Sequence, residues 1–339
     1  MKLIIPMAGR GTRLRPHSLT TPKPLLPVAG PILIERIIQS FIESLDSELT
    51  EIGFVLGDFG QEVEVRLAKM TRDFGANPAF YYQNQALGTA HAVHCAAGSL
   101  AGEVIVAFAD TLFEVGGRIN LEEADSVIWL KKVANPSSYG VAVIDDGRIT
   151  RFIEKPKEPI SDMAIIGVYY FRDGERLKNE LAYLMENDIR GHKNEFDLTD
   201  AIDRLLKQGA VFKAADVDQW LDFGTIPAWI SSTKAVLNRM PNREADAGRF
   251  PGSQIIPPCY IGRDVRIENS TVGPYACIGN GCTIKKSQIR ESIIREDAVI
   301  VDSKLDHSTI GIAVNVDSCE HEIHVGDHSR VGGSLKSAE

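Results

Sequence analysis

Beyond residue 254 the aliphatic residues recur every five or six positions, at Ile261, Ile267, Val272, Ile278, Ile284, Ile289, Ile294, Ile300, Leu305 and Ile310. Gly262, Gly273, Gly279 and Gly311 each follow one of them. That spacing fits neither an amphipathic helix nor two-residue strand alternation. It is the hexapeptide repeat of a parallel β-helix, in which each coil buries its aliphatic residues beneath those of the next. No rung of such a stack is stable alone, so the repeat must be one continuous unit. A chain of 339 residues also exceeds what one hydrophobic core supports, and at least two domains are expected.

The other end of the chain carries a charge anomaly. The first 34 residues hold five cations (Lys2, Arg10, Arg13, Arg15, Lys23) and no Asp or Glu, against a formal net charge of -9 for the whole. The apolar run Leu3 to Met7 leads directly into Gly9-Arg10-Gly11-Thr12-Arg13, and Lys23 follows between prolines. A strand running into a glycine loop brings backbone N–H groups close to an anion, and the neighbouring cations neutralise it. A Walker loop is excluded because no Gly-Lys pair occurs, and the dinucleotide fingerprint fails because its third glycine position is Leu14.

Apolar runs at 3–7, 52–56, 79–82 and 104–109 alternate with helical patterns at 32–44, 61–74 and 87–99, which implies a parallel sheet covered on both faces. A second strand set is expected at 126–133, 140–144, 149–154 and 165–171, followed by helices at 175–186, 198–207 and 227–238. Residues 239–254, RMPNREADAGRFPGSQ, lack apolar periodicity and read as a linker. The division expected is therefore 1–238 for the α/β domain, 239–254 for the linker, 255–317 for the β-helix and 318–339 for a tail whose last residues, GGSLKSAE, are mobile.

An acidic chain of ordinary hydrophobicity, with a pI near 5.5, has little bulk attraction for nucleic acid or anionic membrane. No apolar run is long enough to cross a bilayer and none resembles a signal peptide, so a cytoplasmic location is expected. The five cysteines form no Cys-x-x-Cys pair and read as reduced thiols.

The stretch Ile4 to Val28, IIPMAGRGTRLRPHSLTTPKPLLPV, closely resembles the signature of the sugar-1-phosphate nucleotidylyltransferases. Within that family the chain is most similar to the glucose-1-phosphate thymidylyltransferases with a C-terminal hexapeptide-repeat extension. The resemblance implies a mixed, mostly parallel Rossmann-like α/β domain followed by a left-handed parallel β-helix. It also implies Mg²⁺ as cofactor, a nucleoside triphosphate and a sugar 1-phosphate as partners, and a homo-oligomer. By the same resemblance Met7, Ala8, Gly9, Gly11 and Thr12 form the nucleotide loop, and Arg13 and Lys23 are its catalytic cations. Gln83 and Gly88 of QNQALGTA match the base-reading segment; a Gln amide can donate and accept at once, as a pyrimidine edge requires.

Asp110 after the 104–109 run and Asp222 in WLDFGT match the family's two metal-binding aspartates, although the family commonly has Gly where this chain has Ala109. An Asp at a strand end is ordinarily a turn or helix cap, so neither acid stands alone. Glu154-Lys155-Pro156 matches a sugar-phosphate motif, with Tyr139, Gly140 and Ile165 in the other sugar-pocket segments. Lys193 stands near where the family places an arginine, without that residue's bidentate fork. His91 and His94 lack a carboxylate in register and read as packing residues.

The chemistry implied explains the residue types. A phosphate monoester is largely dianionic near neutral pH, its second pKa being near about 6, so the attack on the α-phosphorus needs no general base. Repulsion between anions forms the barrier, and cations with two carboxylates holding a metal relieve it. Mannose-1-phosphate guanylyltransferase, a UTP-dependent uridylyltransferase and a catalytically silent subunit on the same scaffold are the competing readings. An acyltransferase role for the β-helix is disfavoured because no His occurs between Gln254 and Asp306. Since every candidate catalytic residue precedes the linker, a chain ended near Arg239 is expected to retain a complete active site.

Overall fold

A computed structural model describes residues 1–117, 119, 121, 124–158, 160–240 and 249–332. Most of the expected linker (241–248) and the end of the expected tail (333–339) lie outside the described residues. The elements in chain order are β1 (Lys2–Pro6), α1 (Leu33–Ser44), β2 (Glu51–Leu56), α2 (Gln61–Asp73), β3 (Asn77–Tyr82), α3 (Thr89–Cys95), β4 (Val104–Ala107) and β5 (Thr111–Glu114). They continue with β6 (Ser126–Lys132), β7 (Gly140–Asp145), β8 (Arg148–Glu154), β9 (Met163–Phe171), α4 (Gly174–Glu186), α5 (Leu198–Lys207), β10 (Phe212–Asp216), β11 (Gln219–Asp222) and α6 (Ile226–Leu237). Short two- and three-residue strands make up the rest.

One nine-stranded sheet runs in the order β10-β6-β9-β4-β1-β2-β3, with β7 and β8 attached beside β9. The pairs β1·β2, β1·β4, β2·β3 and β6·β10 are parallel; the central strands β1, β2 and β4 are near-continuously apolar and buried on both faces, whereas the end strands β3 and β10 are not. The nine-residue apolar strand β9 runs antiparallel between β4 and β6 and joins the second strand set to the first. Apolar periodicity marks a strand but not its direction; the mixed, mostly parallel sheet is the one that the resemblance implied. Helix starts follow their caps: Asp173 accepts from the Arg176 N–H at the start of α4, and Thr225 accepts from the Ala228 N–H at the start of α6.

The C-terminal stack is a left-handed parallel β-helix of three sheets. Register partners such as Ile255↔Val272, Ile294↔Ile310 and Ile310↔Val325 show coils that shorten along the stack. Inside, Ile267, Ile284, Ile300 and Val316 lie one above another. One corner carries a ladder that the aliphatic period did not reveal. The Oγ atoms of Ser253, Ser270, Ser287 and Ser303 each accept the backbone N–H of the matching residue on the next coil, ending at Cys319. These hydroxyls, buried from Ser270 onward, satisfy backbone groups at turns where no strand partner reaches them.

The compact units cut across the boundary expected at 238/239. One contains Met1–Gly9 and Ile34–Leu221; the other contains Arg10–Leu33 together with the described residues from Asp222 onward. The physical reason is a set of polar contacts within the second unit. His17, fully buried, places Nε2 2.7 Å from Thr309 Oγ1 and meets the Trp229 ring edge-on at 5.3 Å. Arg295, on a β-helix coil, pairs with Asp327 at 3.2 Å and donates to Thr21 Oγ1 at 2.9 Å. Thr20 donates to Asp327 Oδ2 at 2.5 Å, and Trp229 Nε1 donates to the Pro27 carbonyl at 2.8 Å. Residues 17–21 of the cationic loop thus make polar contacts with residues that lie beyond the linker.

Candidate active site

Parallel strands β1, β3 and β4 end on the same edge of the sheet, where open α/β sheets bind ligands. Met7, Ala8 and Gly9 follow β1, Gln83 follows β3, and Asp110 follows β4 by three residues. Met7 is buried and its N–H continues the sheet to the Val55 carbonyl at 2.9 Å, whereas Gly9 is exposed with open space beside it. Because β9 is antiparallel to β4, its early residues reach this same edge: Ala107 pairs with Val168 and the Phe108 N–H donates to the Gly167 carbonyl at 2.9 Å.

The sugar-pocket residues come together within the first unit. A Cβ placed on Gly140 would lie 2.9 Å from Glu154 Oε2, 3.1 Å from Thr199 Oγ1 and 3.3 Å from Ile165 Cδ1. Lys155 Nζ sits 2.7 Å from Glu154 Oε1, and the Lys155 N–H donates to the Tyr139 carbonyl at 3.0 Å. Lys155 adopts the left-handed backbone region at φ 41°, a conformation disfavoured for a side chain and retained at functional positions when neighbours enforce it. Lys193 lies on an exposed turn at φ 55°, with no described contact to this cluster.

Three residues of this cluster were not singled out from the sequence. Thr199 donates to Glu154 Oε2 at 2.7 Å, fixing that carboxylate. Asp197 is buried and accepts the His192 N–H at 2.8 Å; burial, with Glu154 and Asp200 nearby, pushes its pKa up to about 6. Burial and Glu154 also raise the pKa of Asp200. Only the fold shows Asp197 turned inward.

At the base-reading segment, Gly88 takes φ +118° and any side chain there would strike the Phe196 backbone. That glycine is thus required by packing, beyond any approach of a ligand. Gln83 differs from its expected role as donor and acceptor together. Its Nε2 lies 3.0 Å from both the Gly88 carbonyl and His91 Nδ1, so its donors are already engaged.

In the second unit, Gly11 adopts the left-handed conformation at φ 57° and opens the turn Thr12–Leu14. A Cβ on Gly11 would touch the Lys23 Cβ at 3.2 Å, and Ser18 Oγ donates to the Gly11 carbonyl at 2.7 Å. Arg13 and Asp222 flank Gly224: a Cβ there would be 3.2 Å from Arg13 Nη2 and 3.0 Å from Asp222 Oδ1. The Asp222 carboxylate accepts the Gly224 N–H at 2.9 Å and its backbone carbonyl accepts from Ser232 Oγ at 2.7 Å. Asp222 closes β11, which pairs with β5 in a two-stranded ribbon, and Asp110 directly precedes β5. Neither ribbon strand was expected; each is only four residues long and too short for periodicity to register.

Among the described residues no group of three or more His, Cys, Asp or Glu side chains is arranged to hold a metal. Two carboxylates nonetheless suit Mg²⁺, which is commonly held by one or two of them together with substrate phosphates and water. All five cysteines carry free thiols, and no described helix is long and apolar enough to cross a membrane.

A mostly parallel α/β sheet whose first strand leads into a glycine-and-cation segment, in a chain that also carries a hexapeptide β-helix, defines a nucleotide-handling transferase scaffold. Residues 2–239 match the nucleotidyl transferase family, and the chain belongs to it. It is 30% identical to a glucose-1-phosphate thymidylyltransferase of Streptomyces antibioticus, over 98% of this chain and 99% of the relative. It is 29% identical to the low-salt glycan biosynthesis nucleotidyltransferase Agl11 of Haloferax volcanii, over 98% of each. Among solved structures it is similar to a putative glucose-1-phosphate thymidylyltransferase from Bacillus anthracis in complex with a sucrose, with TM-score 0.59 and 26% identity, covering 72% of this chain and 98% of the other.

Proposed function

We propose that the protein transfers a nucleoside monophosphate from a nucleoside triphosphate to a sugar 1-phosphate, releasing pyrophosphate, with dTTP and glucose 1-phosphate the preferred pair. The observation that carries this reading is the gathering of Glu154, Lys155, Gly140, Ile165 and Thr199 into one cluster. A cation beside hydroxyl-binding carboxylate and amide groups is what a sugar phosphate requires.

Lys155 holds the acceptor phosphate, and Glu154, oriented by Thr199, accepts hydrogen bonds from sugar hydroxyls. An oxygen of that phosphate attacks the α-phosphorus without a general base, since it is already anionic near neutral pH. Arg13 and Lys23 neutralise charge on the departing pyrophosphate, each opposed unit charge at about 4 Å being worth on the order of 4 kcal/mol in a partly screened site. Asp110 and Asp222 are the residues suited to hold Mg²⁺, which when bound would polarise phosphate oxygens. Thr12, Gly11 and Gly9 offer backbone donors to the triphosphate.

Pyrophosphate release measured over a grid of the four common triphosphates and several sugar 1-phosphates tests the reading. The highest kcat/KM is expected for dTTP with glucose 1-phosphate, with UTP close behind, because one methyl group changes specificity by only about 1 to 3 kcal/mol. A maximum for GTP with mannose 1-phosphate would replace the thymidylyl reading with the guanylyl one.

A further inference from the structure

Within the first unit the Gln83 side chain is held by two contacts at the start of α3. The Phe196 N–H donates to the Leu87 carbonyl and the Ala90 N–H to the Phe196 carbonyl, both at 2.8 Å, fixing the start of α3. Helix α3 carries His91 and, one turn on, Cys95. A carbonyl oxygen only accepts, so the Gln83 atom 3.0 Å from the Gly88 carbonyl is its amide nitrogen, not its oxygen. The same nitrogen lies 3.0 Å from His91 Nδ1, which must then accept, leaving the ring proton on Nε2, 4.0 Å from Cys95 Sγ. Burial, with His94 nearby, lowers the pKa of His91 and keeps the ring neutral, as an acceptor must be. Both amide protons of Gln83 are consumed inside the protein, and Oε1 is the atom left to offer.

We propose that His91 is a positioning residue for base specificity: with the Gly88 carbonyl it locks the Gln83 amide so that Oε1 faces the base, favouring pyrimidines with a ring imino N–H over cytosine. Uracil and thymine donate from N3, which Oε1 accepts. Cytosine has a lone pair at that position and meets Oε1 acceptor to acceptor. The inference rests on Gln83 lying in the nucleotide pocket of the transferase reading, and it adds a residue that touches no substrate.

The test compares kcat/KM for UTP and CTP at a fixed sugar 1-phosphate in wild type, His91→Leu and His91→Asn. Wild type is expected to prefer UTP by at least about a hundredfold, the scale set by leaving a polar group unpaired. His91→Leu removes one of the two acceptors that hold the amide nitrogen, so turning it to donate to cytosine N3 gives up only the Gly88 contact, and the ratio should fall by at least about tenfold, chiefly through a gain for CTP. His91→Asn supplies an acceptor near the Nδ1 position and should restore the ratio, which a purely structural role would not do. A ratio in His91→Leu within about threefold of wild type overturns the proposal, as does an equal loss in both variants. Should His91→Leu fail to fold, wild type with N3-methyl-dTTP decides: use within about threefold of dTTP overturns it, and a loss above about fiftyfold supports it. Wild type inactive with every triphosphate would reject the transferase reading itself, and the proposal with it.

Discussion

Replacing Asp327 by Ala should destabilise the β-helix unit and disable the cationic loop at once. The Asp327 side chain is 3% exposed and the Arg295 side chain opposite it 4% exposed. Its two oxygens accept from Arg295 Nη1, the Ile312 N–H and the Thr20 hydroxyl. Truncation leaves a buried guanidinium without its main carboxylate, and breaking such a pair costs about 3–5 kcal/mol. Glu296 Oε2 remains 3.8 Å from Arg295 Nε as a second carboxylate, so the lower end, about 3 kcal/mol, is expected. Thr20 and Thr21, which the pair holds, lie between Arg13 and Lys23 in sequence. Turnover should therefore fall at temperatures where the variant is still folded. Urea unfolding followed by tryptophan fluorescence and by far-UV circular dichroism reads the stability, and pyrophosphate release reads the loop. A loss below about 1 kcal/mol with normal kcat would refute the claim that this buried pair braces the loop.

Asp110→Asn and Asp222→Asn are each expected to lower kcat by at least about a hundredfold with the fold intact by circular dichroism, and EDTA should abolish wild-type activity until Mg²⁺ is restored. Burial, with Arg295 nearby, holds the His17 pKa down at about 4 against an ordinary 6.5. The unfolded chain thus takes up a proton that the folded one refuses, and stability is lost as pH falls from about 6.5 towards about 4. The loss reaches about 3 kcal/mol, and urea titrations of His17→Gln should show a flatter pH dependence across that window. A chain truncated after Arg239 should lose turnover, because Thr309, Arg295 and Asp327 no longer support residues 16–21; full activity in that fragment would show that the loop needs no such support.

Much of the fold was legible because strong periodicities carry it. The runs around Leu3, Ile52 and Val104 became parallel strands, and the near-six-residue period became the stacked coils. Strand direction was not legible, since β9 is as apolar as a parallel core strand yet pairs antiparallel on both sides. The ribbon β5–β11 and the serine ladder escaped because four-residue strands and singly spaced hydroxyls leave little pattern. Of the candidate site, the Gly140, Glu154, Lys155 and Ile165 cluster assembled from motifs far apart in sequence. The inward turn of Asp197 and the hold of His91 on Gln83 depend on tertiary packing and had no local signature. His17 sat unnoticed inside the loop signature, because its burial is set by β-helix residues almost three hundred positions later.

The central claim, attack of a sugar phosphate on the α-phosphorus, is tested most directly by following labelled phosphorus. The protein is incubated with glucose 1-phosphate and dTTP labelled at either the α- or the γ-position, and products are separated by anion exchange. The account predicts that the α label appears only in a nucleotide sugar and the γ label only in pyrophosphate. Transfer of the γ label to the sugar, or release of α-labelled nucleotide without a nucleotide sugar, would contradict it.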